Sequence, residues 1–544
     1  TKHGGECMTI KPARNLSAHD KDFFDIEDFE NRIVGSYNEG HASTSLEADK
    51  THARSIIPAG TGKLRDFSYI ADEIPEFLPD NCVGCMDCVT MCPDTAILGK
   101  VISEDTLQEG LLGLDSNSSD DMEKLWPKVR KYWDNREKKG QKPGRFGIFI
   151  DPSKCKGCAE CVDVCGSKSA LAMIPKAKMG EEVHQNLWDF YQSMGDTDQD
   201  YVNEKSVMDI MLREKSLLYA GGAGSCAGCG EATALRMMAA VLGYDHGAEN
   251  AAIVNSTGCS TVYGSTYPYN PWKIPWTNSL FENGPTDAMG VRTRWDQIGW
   301  EDKKLWVIGG DGAMYDIGFG ALSRLLSSGM DIKILVLDTQ VYSNTGGQTS
   351  TASFTGQDAK FYSHGKVVHG KMERRKELGA IAAMHPGVYV AQTVTSLPNH
   401  FYRAIREANA HKGPAVVSVY TTCQPEHGVA DNSSYERSNI ALASRAWPIF
   451  IYDPSKGPRF QDRWDLRGNP SPKRDWHRKK DENGEWQDIK FRHFAIGEGR
   501  FRKQFDKAGE PLEMIHRAED DRVSFWNRLQ DMAGVDRVIP EDAE

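Results

Sequence analysis

Eight of the thirteen cysteines stand in two short runs. Cys82, Cys85, Cys88 and Cys92, with Pro93 behind them, form C-x2-C-x2-C-x3-C-P, and Cys155, Cys158, Cys161 and Cys165 repeat the spacing. Three thiolates in so tight a loop can face three corners of one cubane. The fourth is expected to start a helix that points away, towards a second cluster. The spacing therefore predicts one [4Fe–4S] cluster on Cys82, Cys85, Cys88 and Cys165, and another on Cys155, Cys158, Cys161 and Cys92. Structural zinc is the competing reading, but tetrahedral zinc draws C-x2-4-C pairs from separated segments. Gly166 stands where a second proline is usual and weakens the expected helix start.

A second set of residues suits a diphosphate and a hard cation. Gly310-Asp311-Gly312 and, later, Asp338-Thr339-Gln340-Val341-Tyr342-Ser343-Asn344 each follow an expected strand. Glycines let backbone approach a phosphate, and a helix start behind them favours negative charge. Asp311, Thr339 and the Val341 carbonyl offer three hard oxygens, the kind of donor Mg²⁺ takes together with diphosphate and water. A lone GDG is more often a structural turn. Followed after one helix and one strand by D-T-x-V-Y-S-N, it is the pattern of thiamine-diphosphate enzymes, with another nucleotide or phosphate site as the alternative.

Four further cysteines are scattered: Cys226 and Cys229 in GSCAGCGE, Cys259 in STGCS and Cys423 in TTCQPEHG. Strand ends and helix starts share one edge of a doubly wound sheet, so these thiols are expected to converge beside the diphosphate. They suit a third [4Fe–4S] cluster or a structural zinc, and spacing alone does not separate the two. Three clusters with four ligands apiece leave Cys7, read as an uninvolved thiol.

The elements that must position these residues follow from pattern. Residues 1–60, polar and without a clear period, read as an extended arm packed on another surface, with a floppy tail as the alternative. Residues 61–180 read as a two-cluster, ferredoxin-like α+β domain, with residues 103–145 as an inserted helix and loop. Residues 181–440 carry short β-rich runs at Ala251–Asn255, Leu305–Ile308, Ile332–Leu337, Tyr389–Thr393 and Ala415–Tyr420, alternating with helices such as Glu231–Val241 and Ile317–Ser328. That alternation predicts an α/β domain with a doubly wound, mostly parallel sheet. Residues 441–544, charged and Trp-rich, show no strand series and read as a C-terminal extension.

Lys and Arg number 65 against 77 Asp and Glu, a net charge of −12, which speaks against nucleic acid or anionic lipid as partner. The longest uncharged window, residues 250–272, holds Gly258, Pro268 and Asn270 and cannot span a bilayer. The first residues, TKHGGECMTI, have no signal-peptide pattern, so the expected compartment is the cytoplasm, where thiols stay reduced.

The double cysteine run, CAGCGE, NSTGCS, GGDGAMYDIG and LDTQVYSNTGGQ together resemble the C-terminal part of the pyruvate:ferredoxin (flavodoxin) oxidoreductases, within the 2-oxoacid:ferredoxin oxidoreductase family. The resemblance spans roughly residues 65–430 and implies a thiamine-diphosphate-binding fold. It places a proximal cluster on Cys226, Cys229, Cys259 and Cys423, and Mg²⁺ on Asp311, Thr339 and the Val341 carbonyl. Gly310, Gly312, Glu231 and Asn344 fall on cofactor-binding positions. It implies reversible oxidative decarboxylation of a 2-oxoacid, pyruvate first and 2-oxoglutarate as alternative, to acyl-CoA and CO2. Coenzyme A would be co-substrate, and electrons would pass through three clusters to ferredoxin or flavodoxin. Ala313 stands where an aromatic residue is common, and His427 falls one residue later than in the family arrangement. The aminopyrimidine-binding domain and the substrate-gripping residues are missing, so the chain is expected to be a beta-type subunit beside an alpha-type partner. Two rivals remain: a non-oxidative thiamine enzyme, which leaves eight cysteines without purpose, and an electron-transfer subunit with a non-catalytic thiamine-like scaffold.

Overall fold

The computed structural model describes residues 25–49, 51, 56–178, 180–362 and 369–538; Cys7 lies outside them. The described part of the arm is helical around residues 26–38. Phe29, Ile33 and Val34 are buried against Tyr269, so the arm packs on the body.

The two cysteine runs sit between four short strands: β1 (Glu73–Phe77), β2 (Ile97–Ile102), β3 (Arg145–Ile150) and β4 (Leu171–Pro175). β1 pairs antiparallel with β4, and β2 with β3. Each run ends in a single helical turn, α1 (Asp87–Met91) and α2 (Glu160–Cys165). The expected helix start is thus corrected: the fourth cysteine ends a helix. Cys92 is the extended C-cap of α1, because the following Pro93 disfavours helical backbone at the residue before it. Cys165 closes α2, and Gly166 leaves the helix at φ +53°. Proline and glycine are two routes to the same stop.

Residues 103–145 hold the helices Glu104–Leu111 and Ser116–Lys124, which with the following Trp126 cover the β2–β3 pair through Leu107, Leu111 and Met122.

The larger sheet has eight strands in the order β12-β11-β9-β10-β8-β7-β5-β6. Before it comes α3 (Gly230–Asp245), buried over most of its length. Then follow β5 (Ala251–Ser256), α4 (Cys259–Gly264), β6 (Trp276–Ser279), β7 (Lys304–Gly310), β8 (Lys333–Asp338), β9 (Tyr389–Val394) and β10 (Ala415–Tyr420). These six strands are parallel, and β5, β8, β9 and β10 are buried at every residue, as a sheet covered on both faces requires. β6 went unread because WTNS, at the sheet edge, lacks an apolar run.

The helix expected over 317–328 is present as Phe319–Leu326, and a π-helical turn, Gly312–Ile317, leads into it. Such turns are frequent at functional sites.

Residues 441–544, where no strand was expected, extend the sheet. After α5 (Ser434–Ala443), β11 (Phe450–Tyr452) pairs antiparallel with β9, and β12 (Trp464–Asp465) with β11. Strands of three and two residues are too short to leave a period in the sequence. Beyond them α6 (Glu513–Met532) buries Phe525, Trp526 and Leu529 in the same apolar cluster as Ile334 and Val336 of β8. Phe491, Phe494 and Phe501 close on Phe354.

One continuous buried cluster runs from Ile74 and Ile148, through Met237 of α3, to Val417 of β10. The cysteine-run region and the sheet therefore share a core.

Candidate functional site

β5 lies between β6 and β7, so the chain leaves it in one direction and returns on its other side. Loops after neighbouring strands part at such a switch point and open a crevice at the carboxyl ends. Here a cleft of about 420 Å³ is lined by Thr257 and Gly258 after β5, Gly310 to Ala313 at the end of β7, and Thr339 and Val341 to Thr345 after β8.

Asp311 is buried and faces the loop after β8. The Thr339 hydroxyl lies 3.1 Å from Asp311 Oδ1 and 3.0 Å from the Val341 carbonyl. Adjacent oxygens around an octahedral Mg²⁺, with bonds of about 2.0–2.1 Å, stand about 2.9 Å apart. Both spacings thus fit edges of such an octahedron that meet at the Thr339 oxygen. The single hydroxyl proton cannot serve both acceptors, and a cation between the three oxygens removes the conflict. Ser350 donates to Asp311 Oδ2 at 2.5 Å, and Ser343 to the Thr339 hydroxyl at 2.8 Å. Burial, and then the neighbouring Asp338 charge, push the Asp311 carboxyl well above the usual range. A divalent cation would hold it ionised.

A Cβ on Gly312 would stand 2.4 Å from the Tyr342 ring, so glycine is needed there. A Cβ on Gly310 would make only ordinary contact, 3.7 Å from the Leu337 carbonyl oxygen, and Gly310 borders the cleft. Asn344 lies at the exposed mouth. Ala313 is buried beneath the floor.

A second cavity, about 650 Å³, adjoins the first and is lined by Cys226, Cys229, Cys259 and Cys423 together. The two share Glu231, Cys259, Thr339, Ser343 and Asn344. Cys229 precedes α3, Cys259 opens α4 after β5, and Cys423 follows β10. Burial pushes the Cys423 thiol up to about 11 and raises Cys229 and Cys259 as well, each further raised by the neighbouring acid Glu231. Glu231 is buried, accepts from the Tyr263 hydroxyl at 3.2 Å, and is pushed up to about 7 by burial. His427 reaches the site from behind, with Nε2 2.8 Å from the Thr339 carbonyl.

The remaining cysteines fall into the two expected groups. Cys82, Cys85, Cys88 and Cys165 line one cavity of about 350 Å³. Burial raises Cys88, and Cys85, Cys82 and Cys165 raise it further, so the four thiols face one another. Cys161 is raised by burial, then by Cys158, Cys155 and Cys92. Clustered thiols, half-buried or buried, are a poor arrangement as anions without a cation or cluster to neutralise them. Among the described residues, no three His, Cys, Asp or Glu side chains converge on the position of a single metal ion. Backbone N–H groups of Gly84, Ala96 and Ala170 donate to Cys82, Cys92 and Cys165 at 3.2–3.5 Å, and Lys168 Nζ stands 3.3 Å from Cys85 Sγ.

Several bonds that sequence alone did not announce join these parts. Arg236 of α3 donates to Thr95 at 3.1 Å, just beyond the first run. Glu160 of α2 accepts the backbone N–H of Ser434 and Tyr435, at 3.0 and 2.7 Å, in the first turn of α5. These partners lie far apart in the chain and carry no local pattern.

Comparison with known proteins agrees with this geometry. Residues 256–419 match the family of thiamine pyrophosphate enzymes, C-terminal TPP binding domain. The chain is 30% identical over 459 residues to the probable pyruvate-flavodoxin oxidoreductase of Escherichia coli (strain K12), covering 71% of this chain and 36% of that one. It is 27% identical over 564 residues to the pyruvate:ferredoxin oxidoreductase of Moorella thermoacetica, covering 88% and 44%. The chain thus spans less than half the length of these curated relatives, and both are single chains that run well beyond the matched part. Among solved structures, a 2-oxoglutarate:ferredoxin oxidoreductase from Magnetococcus marinus aligns over 37% of this chain and 65% of that one, with 23% identity and a TM-score of 0.32. No helix among the described residues is long and apolar enough to cross a membrane.

Proposed function

We propose that this chain, a relative of the pyruvate:ferredoxin (flavodoxin) oxidoreductases, is the part of such an enzyme that holds thiamine diphosphate and carries electrons away from it. The observation that carries the reading is the shared wall of Glu231, Cys259, Thr339, Ser343 and Asn344 between the oxygen-lined cleft and the four-cysteine cavity. A scaffold without chemistry has no need for a cation site and a thiol cavity back to back.

In this reading Asp311, Thr339 and the Val341 carbonyl hold Mg²⁺, and backbone at Gly310 and Gly312 meets the diphosphate. Thiamine diphosphate, when bound, supplies the electron sink for decarboxylation of a 2-oxoacid. The chain's own residues bind, orient and neutralise. Glu231 and Asn344 face the cofactor. Cys226, Cys229, Cys259 and Cys423 hold the proximal [4Fe–4S] cluster, the group on Cys155, Cys158, Cys161 and Cys92 the next, and that on Cys82, Cys85, Cys88 and Cys165 the last. The substrate is pyruvate, the acyl acceptor coenzyme A, and the electron acceptor ferredoxin or flavodoxin. The aminopyrimidine-binding and substrate-gripping parts come from outside the segment described. The relatives carry their further length within one chain, which favours a continuation of the same polypeptide over a separate alpha-type subunit.

The test is iron, zinc and acid-labile sulfide per chain on anaerobically purified protein. About twelve iron and twelve sulfide agree with three cubanes. About eight iron with one zinc would make the four scattered cysteines a structural site and remove the first station of the electron path.

A further inference from the structure

In the motif D-T-x-V the variable position is Gln340, between two of the proposed Mg²⁺ ligands. Its φ is +58°, left-handed backbone that L side chains with a long stem rarely adopt. The conformation has a geometric result. It reverses the chain between Thr339 and Val341, so that the Val341 carbonyl comes within 3.0 Å of the Thr339 hydroxyl, which itself meets Asp311. Strained backbone of this kind persists only where the surroundings over-determine it.

Here they do. Gln340 is fully buried. Its backbone N–H donates to Asp338 Oδ1 at 3.0 Å, and its carbonyl accepts from Ser353 at 2.7 Å and Gln357 at 2.9 Å. Its side-chain Oε1 accepts from Arg500 Nη2 at 2.9 Å. The other arm of the same guanidinium, Nη1, lies 3.3 Å from the Thr339 carbonyl, which His427 also engages. Arg500 is itself fixed. Its Nε donates to Glu498 at 2.6 Å, and Glu498 accepts from Tyr420 of β10 at 3.0 Å.

We propose that Arg500 is a positioning residue for the cation site: its fork grips Gln340 Oε1 and the Thr339 carbonyl, and so holds the left-handed turn that aims Thr339 and Val341 at Asp311. The assignment rests on the reading of these three residues as the Mg²⁺–diphosphate site. It gives the region beyond residue 440 a part in cofactor binding. Arginine suits the task because a planar fork reaches two acceptors at fixed angles, which a lysine ammonium does not.

The experiment titrates Mn²⁺ into the full chain, purified with its clusters, in the presence of thiamine diphosphate, and reads free Mn²⁺ by its paramagnetic resonance. R500K keeps the charge beside Glu498 and loses the fork. Q340N keeps a residue that tolerates left-handed backbone but is too short to reach Arg500. Both should weaken Mn²⁺ binding about 10-fold or more, as loss of groups that orient metal ligands does, with iron content unchanged. Parental affinity in either folded variant overturns the assignment, even if its melting temperature falls. Should R500K not fold, Q340N decides, since it leaves the Glu498–Arg500 pair in place. A parent protein that binds no Mn²⁺ overturns the cation site itself, and the assignment with it.

Discussion

The Lys156 ammonium sits 2.6 Å from the Asp94 carboxylate, and both side chains are buried. Lys156 lies inside the second cysteine run and Asp94 two residues beyond the first. The same ammonium donates to the carbonyls of Ala223 and Ser225, at 2.8 Å each, directly before Cys226. One cation therefore joins all three cysteine groups.

Removing one partner of a buried pair leaves the other charge stranded, at a cost of about 3–5 kcal/mol. K156M should lower the free energy of unfolding by that amount and release iron on mild heating. The double variant K156M/D94N, with no stranded charge, should lose less. Denaturant titration with iron release as a second signal checks both. Equal losses in single and double variants would mean the pair contributes only packing.

Lys168 stands 3.3 Å from Cys85 Sγ and 2.6 Å from Asp87 Oδ2. A nearby positive charge favours the more reduced, more negative form of a cluster. K168M should therefore shift the potential of the cluster proposed on Cys82, Cys85, Cys88 and Cys165 downward, on the order of tens of millivolts. A redox titration followed by electron paramagnetic resonance reads this directly. An unchanged or raised potential would place that cluster elsewhere.

Asp311 is the sole carboxylate of the proposed cation triad. D311N keeps shape and removes the charge. Loss of a direct ligand should exceed the 10–100-fold effect of removing an orienting group, so thiamine diphosphate with Mg²⁺ should bind more than about 100-fold more weakly. Calorimetric titration tests this. Restored to the complete enzyme, the variant should also lose 2-oxoacid oxidation; surviving activity would favour the scaffold reading.

His400, on the helix Pro398–Ala410, is half-buried away from the site, with Nδ1 2.8 Å from the Thr393 hydroxyl. Burial lowers its pKa from 6.5 to about 4. The unfolded chain takes up this proton near 6.5 and the folded chain only near 4. The group's contribution is therefore present above pH 6.5 and is lost as pH falls towards 4, about 3 kcal/mol in all. H400L should flatten the stability profile across that window, by denaturation at pH 4.5 and pH 7.5. A profile as steep as the parent's would assign the acid sensitivity to other groups.

What the sequence announced, and what it hid, follows from distance along the chain. Five of the six parallel strands were legible because each holds a short, largely apolar run, as in IKILVL before Asp338; β6 was not, for want of one. The two cysteine runs were legible because their spacing is fixed and repeated, whereas Cys226, Cys229, Cys259 and Cys423 could be joined only through the expected edge of the sheet. The triad Asp311, Thr339 and Val341 was legible because two short motifs follow two strands of one sheet. Arg500 was not legible. It reaches Gln340 from 160 residues away, and nothing near it marks the contact. Strands β11 and β12 were hidden because the partner strand, not their own two or three residues, specifies them. The helical role of the fourth cysteine was misread for a local reason: Pro93 looked like the first residue of a helix, where proline is tolerated, and instead it ends one.

The short strand β11 also decides how the protein can be shortened. It occupies the free side of β9, whose six residues are all buried. A chain ending near residue 440 would leave β9 at the border of the sheet, with a row of unpaired N–H and C=O groups beside apolar side chains. Such a border is a template for another strand. Residues beyond 440 thus cover that edge through β11, and trimming them would open it to pairing with further copies of the chain.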